Sequence, residues 1–351
     1  MKVIVDNGIK SIRDIISLLE GFDSIKLVFL NSSDFNNTNI KDADILLIRS
    51  TVQANELLLA NTNIKLIGSA TAGHDHIDID YLKKNDIKWF YAPGCNALSV
   101  TNYVMSSIYF LIEKNIFNSD NTVGIIGYGN VGKQLKKALD YFSIKNFVYD
   151  PFLDFDFLSN LGLIKNCDLI SLHVPLTNKT KFPTCNMIDR SFLEDIEGKT
   201  LVNTSRGGVV NESILLNYSN INYVSDVWMD EPSPSNDIID FALLATPHIA
   251  GHSMNGKING TIMLINFLQT YIGLEDRIKM SNLEIINQFI SSSNYLEIEA
   301  DHEIKKYKTE YDIQIESDNF KKVYLNSERN FQKNNFSEVR SNHFNRLDIK
   351  T

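Results

Sequence analysis

Short apolar runs alternate with helical stripes along most of the chain. Val3–Val5, Lys26–Leu30, Ile45–Ile48 and Ile64–Ile67 read as buried strands, and Ile12, Ile15, Ile16 and Leu19 line one face of a helix between the first two. The segment Ser99–Lys114 carries Val100, Tyr103, Val104, Ile108 and Leu111. It is apolar on more than one side, which predicts a helix buried between domains or subunits. A second series starts at Thr122, with strands at Val123–Ile126, Asn146–Tyr149, Leu169–His173, Thr200–Asn203 and Tyr223–Trp228. A helix over Val131–Tyr141 and a closing helix with Ile262, Ile265, Phe267 and Leu268 accompany them. Such alternation predicts α/β architecture with parallel sheets. Beyond Leu283 the texture changes. Residues 283–351 contain neither Pro nor Gly and are dense in Asn, Lys, Glu and Ser, the composition of a disordered tail. Yet Tyr295–Ile298, Tyr311–Ile315 and Val323–Leu325 keep apolar alternation, which favours a small appended domain.

The strongest local signal lies in VGIIGYGNVGKQL. Gly127, Gly129 and Gly132 form GxGxxG directly after a strand and at the mouth of a helix that opens with Asn130 and Val131. The first glycine permits the tight turn, the second lets the backbone approach a pyrophosphate, and the third lets the helix pack against the strand. Backbone amides and the helix dipole then face the phosphates. Asp150 closes the next strand, 18 residues after Gly132. A carboxylate there accepts hydrogen bonds from both ribose hydroxyls and repels a 2′-phosphate, so the expected cofactor is NAD and not NADP.

Three later segments carry unusual polar residues: VNTSRGGVV at 202–210, SDVWMDEPSP at 225–234 and ATPHIAGHS at 245–253. With TAGHDHID at 71–78, PGCNALSVTNYV at 93–104 and SLHVPLT at 171–177, they resemble in order the signature segments of the D-isomer-specific 2-hydroxyacid dehydrogenases. The resemblance covers about residues 1–280. Within that family, KVIVDNGI, the Arg49-Ser50 pair in LLIRSTV, SATAGHDHID and PGCNALSV resemble one branch, which acts on a phosphorylated hydroxy acid. YDIQIESDNFKK at 311–322 resembles the C-terminal dimerisation domain of that branch, here in a shortened tail.

The resemblance implies two doubly wound parallel-sheet domains. One is a flavodoxin-like substrate domain at 1–94 with a return at 252–280, and the other an NAD-binding Rossmann domain at 95–251. A small α+β dimerisation domain at 281–351 follows, which implies a homodimer. The active site is expected in the cleft between the first two, closing over the substrate. Oxidising a 2-hydroxy acid needs a base for the hydroxyl proton while hydride leaves C2. His248, in PHIAGHS, matches the family's acid/base histidine, a residue type that titrates near working pH. Glu231 matches the carboxylate that orients it, and Arg206 the arginine that grips the substrate carboxylate. By the same resemblance Asp226 holds the nicotinamide carboxamide, and Val174 and Gly251 lie at the cofactor, Val174 where the branch often has Thr. Ser50 and Thr71 contact substrate, and His252 stands at a substrate position where the branch usually has Tyr. The substrate phosphate needs its own cation. Arg49 is the candidate, and the alternative is a surface arginine paired with Asp42 or Asp44. Two other readings stay open: a dehydrogenase of another hydroxy acid such as 3-phosphoglycerate, and a catalytically silent NAD-binding scaffold.

Composition narrows the remainder. The 351 residues suggest about two domains at roughly 150 each, and 43% hydrophobic with 22% charged residues excludes wholesale disorder. The net charge of −9 makes no general case for nucleic acid or an anionic membrane as partner, and Lys305-Lys306 and Lys321-Lys322 read as solvated faces. No run reaches the roughly 18 apolar residues of a membrane span. Three cysteines without CxxC spacing, and an N-terminus without a secretory pattern, lead us to expect a reducing cytoplasm. His74 and His76 have a spacing a metal site tolerates, but the chemistry needs no metal and none is expected. Cys95 is expected to be a packed small residue and not a nucleophile.

Overall fold

The computed structural model describes residues 1–19, 21–273, 296–297, 304–343 and 346–350. They fall into two compact units: Met1–Asn96 with the segment that begins at Ser253, and Ala97–His252 with the tail from Leu296. The expected boundary near residue 280 lies outside the described residues. Among the described residues no helix is long and apolar enough to cross a membrane.

The first unit is built on β1 (Lys2–Asp6), β2 (Lys26–Leu30), β3 (Ile45–Ile48), β4 (Leu66–Ser69) and β5 (Lys88–Phe90). All are parallel, in the flavodoxin-like order β2-β1-β3-β4-β5. A parallel sheet needs cover on both faces, and alternate residues of each strand supply the two. Val3, Val5, Ile45, Leu47 and Leu66 pack with Ile12 and Ile15 of the helix Ile12–Leu18 and with Ile258, Ile262 and Ile265 of the helix Met254–Tyr271. Ile4, Leu46, Ile48 and Ile67 face the opposite way, onto Leu58, Leu59 and Leu82. The strand expected at Ile64 starts two residues later, at Leu66.

The second unit carries β6 (Val123–Ile126), β7 (Asn146–Tyr149), β8 (Leu169–Leu172), β9 (Thr200–Asn203), β10 (Asn222–Ser225) and β11 (Leu244–Ala245), parallel in the order β11-β10-β9-β8-β6-β7. A single bridge from Val148 to Leu158 adds a rudimentary strand outside β7. With it, the order becomes that of the doubly wound dinucleotide fold, reversing between β6 and β8. The helices Ala97–Glu113 and Asn130–Tyr141 cover one face through Tyr103, Ile108, Leu135 and Leu139. Ile188, Phe192 and Leu215 are part of the cover on the other.

The described tail packs onto this second unit. It contains β12 (Leu296–Glu297), the helices Lys306–Glu310, Ile313–Leu325 and Arg329–Ser341, and β13 (Ile349–Lys350), which pairs in parallel with β12. The alternation at Tyr311–Ile315 and Val323–Leu325 proves to be mostly helix. Asp312 caps it, accepting the Gln314 N–H at 3.0 Å. The buried residues are Ile313, Ser317, Phe320 and Tyr324, spaced by three and four, while Ile315 is 67% exposed. So short an alternation fits both periods, and the packing partner selects the helical one. That partner is the edge of β11, where the Ser317 hydroxyl accepts the Ala245 N–H at 2.9 Å, so the tail shields an edge that would otherwise stay open. The tail also covers the second face of Ala97–Glu113, which the sequence places between domains or subunits. Ser99 Oγ donates to Asp348 at 2.9 Å, Asn102 Nδ2 to the Ile349 carbonyl at 3.0 Å and Ser106 Oγ to the Tyr311 carbonyl at 2.6 Å.

Candidate active site

Loops after the carboxyl ends of parallel strands gather ligands where the strand order reverses. In the second unit the glycine turn follows β6 and Val174 follows β8. Arg206 follows β9, Asp226 and Glu231 follow β10, and His248, Gly251 and His252 follow β11. All therefore stand at the carboxyl end of one sheet.

The glycine turn fits a dinucleotide. Gly127 has φ of +96°, and a Cβ there would come within 2.4 Å of the His173 carbonyl oxygen and 3.0 Å of Val174 Cγ1. A Cβ on Gly132 would meet the Gly127 carbonyl oxygen at 2.1 Å. Gly129 differs: among the described residues, nothing beyond its own neighbours along the chain lies within 4 Å of where its Cβ would be. Gly129 caps the helix Asn130–Tyr141, where free amides and the helix dipole favour a phosphate. Asp150 accepts the Tyr128 N–H at 2.9 Å and the Phe152 N–H at 3.0 Å. It thus braces the turn, and each carboxylate oxygen retains acceptor capacity for a ribose hydroxyl.

Asp226 organises the loop that carries the histidine. Its buried carboxylate accepts from Thr246 Oγ1 at 2.6 Å, Ile249 N at 2.7 Å and Ala250 N at 2.8 Å, and its carbonyl takes the His248 N–H at 2.8 Å. Burial raises its pKa, against the pull of His248 and of these donors. The strand expected to run to Trp228 therefore stops at Ser225, where the chain turns to make these bonds.

His248 Nδ1 lies 2.7 Å from Glu231 Oε2. An ionised carboxylate only accepts, so Nδ1 carries the proton of this bond. The other carboxylate oxygen accepts the Trp228 N–H at 2.8 Å. Burial works to raise the Glu231 pKa, but the charge and hydrogen bond of His248, with the Trp228 N–H and the charge of Arg340, together outweigh it and hold the group below the usual carboxylate value. Asp230 and His248 have φ of 61° and 58°, left-handed conformations that non-glycine residues hold only when their surroundings enforce them. The His248 side chain is 33% exposed. The Arg206 turn is tied by Asn203, whose Nδ2 donates to the Arg206 carbonyl at 3.2 Å and whose Oδ1 accepts Ser205 Oγ at 2.8 Å.

In the first unit Arg49 and the exposed Ser50 follow β3, and Thr71 follows β4. Thr71 Oγ1 lies 2.8 Å from Ser69 Oγ and donates to the Gly73 carbonyl at 3.1 Å. Ser69 Oγ in turn lies 2.9 Å from His76 Nε2. Burial lowers the His76 pKa to about 4, so this ring supports Thr71 as a neutral group. His74 stacks edge-on against Tyr91 at 5.0 Å. Arg49 pairs with neither Asp42 nor Asp44. It donates to Asp6 through Nε at 3.0 Å and Nη2 at 3.2 Å, and to Ser32 Oγ at 3.0 Å. Asp6 ends the neighbouring strand β1, whereas Asp42 and Asp44 precede β3 at its opposite end. Cys95 is buried, which pushes its thiol pKa up to about 12.

Residues 113–250 match the family model described as D-isomer specific 2-hydroxyacid dehydrogenase, NAD binding domain. The chain is 41% identical to an erythronate-4-phosphate dehydrogenase of Wigglesworthia glossinidia brevipalpis, over 79% of this chain and 75% of that one. It is 34% identical to one of Marinomonas sp. (strain MWYL1), over 100% and 94%. The chain belongs to the erythronate-4-phosphate dehydrogenase group of the D-isomer-specific 2-hydroxyacid dehydrogenases. It is an NAD-dependent oxidoreductase. Among solved structures, the fold resembles NAD+-bound 3-phosphoglycerate dehydrogenase of Entamoeba histolytica, with a TM-score of 0.62, 24% identity and coverage of 83% of this chain and 96% of that one. It also resembles D-lactate dehydrogenase of Aquifex aeolicus complexed with NAD and lactic acid, with a TM-score of 0.61, 21% identity and coverage of 78% and 96%.

Two supports of this candidate site are not singled out by the sequence: Tyr103, which falls inside the segment 93–104 but reads there as a core residue, and Glu212. Tyr103 Oη lies 2.7 Å from Thr246 Oγ1, behind Asp226. Glu212 is buried and accepts the Met229 N–H at 3.0 Å, bracing the loop that carries Glu231. Burial first, then the charges of Glu231 and Asp230, raise its pKa to about 7, against the Met229 hydrogen bond. In sequence Glu212 reads as an ordinary acidic residue in the first turn of a helix capped by Asn211, so nothing marks it.

Proposed function

We propose that the chain uses NAD to oxidise 4-phospho-D-erythronate to (R)-3-hydroxy-2-oxo-4-phosphooxybutanoate, a step of pyridoxal 5′-phosphate biosynthesis, in the cytoplasm and as a homodimer. The observation that carries the chemistry is the His248–Glu231 pair at 2.7 Å, at the carboxyl end of the sheet that also bears Arg206 and the glycine turn. Glu231 engages Nδ1, which leaves Nε2 as the nitrogen for substrate. His248 takes the proton of the C2 hydroxyl, and Glu231 balances the resulting imidazolium. The glycine turn and Asp150 would hold NAD, whose nicotinamide would supply the hydride acceptor for C2. Arg206 offers its planar fork to the substrate carboxylate. Ser50, Thr71 and His252 are assigned to substrate. Asp150, Asn130, Val131, Val174, Asp226 and Gly251 are assigned to NAD with the three glycines. Arg49 is assigned to the phosphate, with its charge partly met by Asp6. An unchanged KM in Arg49→Ala would remove it from that role.

NADH fluorescence across a panel of hydroxy acids tests the whole reading. Turnover of 4-phospho-D-erythronate is expected. Turnover of 3-phosphoglycerate in its place would overturn the substrate assignment, and NAD binding without turnover of any acid would favour a scaffold.

A further inference from the structure

Arg346 belongs to the tail, far in sequence from every motif, yet it is 2% exposed. Its guanidinium spreads across three backbone carbonyls. Nε donates to His252 at 3.1 Å, and Nη2 donates to Ala250 and, at 3.2 Å, to Ser99. The plane lies over the Tyr311 ring, 4.0 Å from its centroid, which offsets part of the lost hydration. Two of the three carbonyls belong to the loop 248–252. The amides of that loop go elsewhere: those of Ile249 and Ala250 to the Asp226 carboxylate, and that of His248 to the Asp226 carbonyl. One five-residue loop is therefore gripped from both sides, three of its N–H groups by an aspartate and two of its C=O groups by an arginine, while the His252 N–H closes on the Ile249 carbonyl within it. The loop needs such a grip, because His248 sits at φ of 58°. Lysine offers a point charge and cannot span several carbonyls as the fork does.

We propose that Arg346 is a positioning residue for the reaction: the C-terminal tail holds the loop 248–252 in the conformation that presents His248, and so completes the site of its own chain. This rests on the reading of His248 as the acid/base.

The rival explanation is that Arg346 merely docks the tail. Asn102→Ala separates the two, because it releases Ile349 from the same helix without touching the loop. Arg346→Gln, Arg346→Lys, Asn102→Ala and His248→Asn are each assayed for kcat, NADH affinity and Tm, below the Tm of every variant. Both Arg346 variants are expected to lose about 10- to 100-fold in kcat, the scale of a small misplacement of a catalytic group. NADH affinity should fall much less than kcat, since the glycine turn and Asp150 are untouched and only Gly251 of the residues assigned to NAD lies in the loop, and Asn102→Ala should lower Tm while keeping kcat. Wild-type kcat in both Arg346 variants, or an equal kcat loss in Asn102→Ala, overturns the proposal. If Arg346→Gln does not fold, the lysine variant alone decides in the same way. An active His248→Asn would instead overturn the acid/base reading, whereas an inactive one beside fully active Arg346 variants leaves that reading intact and removes only the positioning role.

Discussion

At the scale of single residues, the candidate site is a set of ionisable groups whose surroundings push them in different directions. Glu231 is held ionised by His248, while Glu212, one loop away, is pushed by burial to a pKa of about 7. Replacing His248 by Asn should lower kcat by about 100- to 10,000-fold, the usual worth of a general base, with NAD affinity kept. The two glutamates should differ in the pH dependence of stability. A carboxyl whose folded pKa is lowered stabilises above the ordinary carboxylate value, and that contribution disappears as pH falls through the folded pKa. The Tm deficit of Glu231→Gln should therefore stay constant from neutral pH down to about 4.5 and shrink below it. Glu212 has the opposite sign. The unfolded chain ionises first, near 4.5, so wild-type stability erodes as pH rises toward about 7 and then levels off. Glu212→Gln keeps an acceptor for Met229 and should gain Tm relative to wild type between pH 5 and pH 8. A pH-independent gap would argue against a carboxyl titrating in that window.

At the scale of elements, the strand-turn-helix at 123–141 separates what the fold needs from what the ligand needs. A Cβ on Gly132 collides with a carbonyl oxygen of the turn, whereas one on Gly129 meets none of the described residues beyond its own neighbours along the chain. Gly132→Ala should thus cost about 1–3 kcal/mol, read by urea unfolding, through forced overpacking. Gly129→Val should keep wild-type stability and lose NADH binding in a fluorescence titration, because its side chain fills the space meant for phosphate. A Gly129→Val protein that binds NADH normally would mean that the pyrophosphate does not sit there. Much of this element was legible from residue order, since glycine spacing and apolar periodicity are local properties. The end of β10 was not. Tyr223–Trp228 is apolar enough to read as one strand, and only the bonds from Asp226 to Thr246, Ile249 and Ala250 decide that it stops at Ser225.

At the scale of the whole molecule, the tail is the element whose meaning changed most. Phe320, Tyr324 and Phe336 join the core on one face of the second sheet, and Tyr307, Tyr311 and Ile313 join it on the other. Phe320→Ala should cost about 3–5 kcal/mol in denaturant unfolding, as for a core aromatic. A cost near zero would mean that the tail is dispensable to the unit it covers. Light scattering of the intact chain tests the proposed dimer, and a monomer would remove it. Truncation is a poor probe of that question, because removing the tail also uncovers the edge of β11 and the helix Ala97–Glu113.

The order of residues alone was enough for two α/β series, the NAD-type turn, and the histidine, glutamate and arginine of the family motifs. These are periodicities and short segments whose chemistry is local. Arg49 shows where locality ends: its partner is Asp6, 43 residues away, because parallel pairing puts the ends of β1 and β3 side by side. Arg346 shows it further. In sequence it is one basic residue in a polar tail. Only tertiary packing brings it to the carbonyls of the histidine loop, and only burial there, away from water, gives a single guanidinium the means to hold that loop in place.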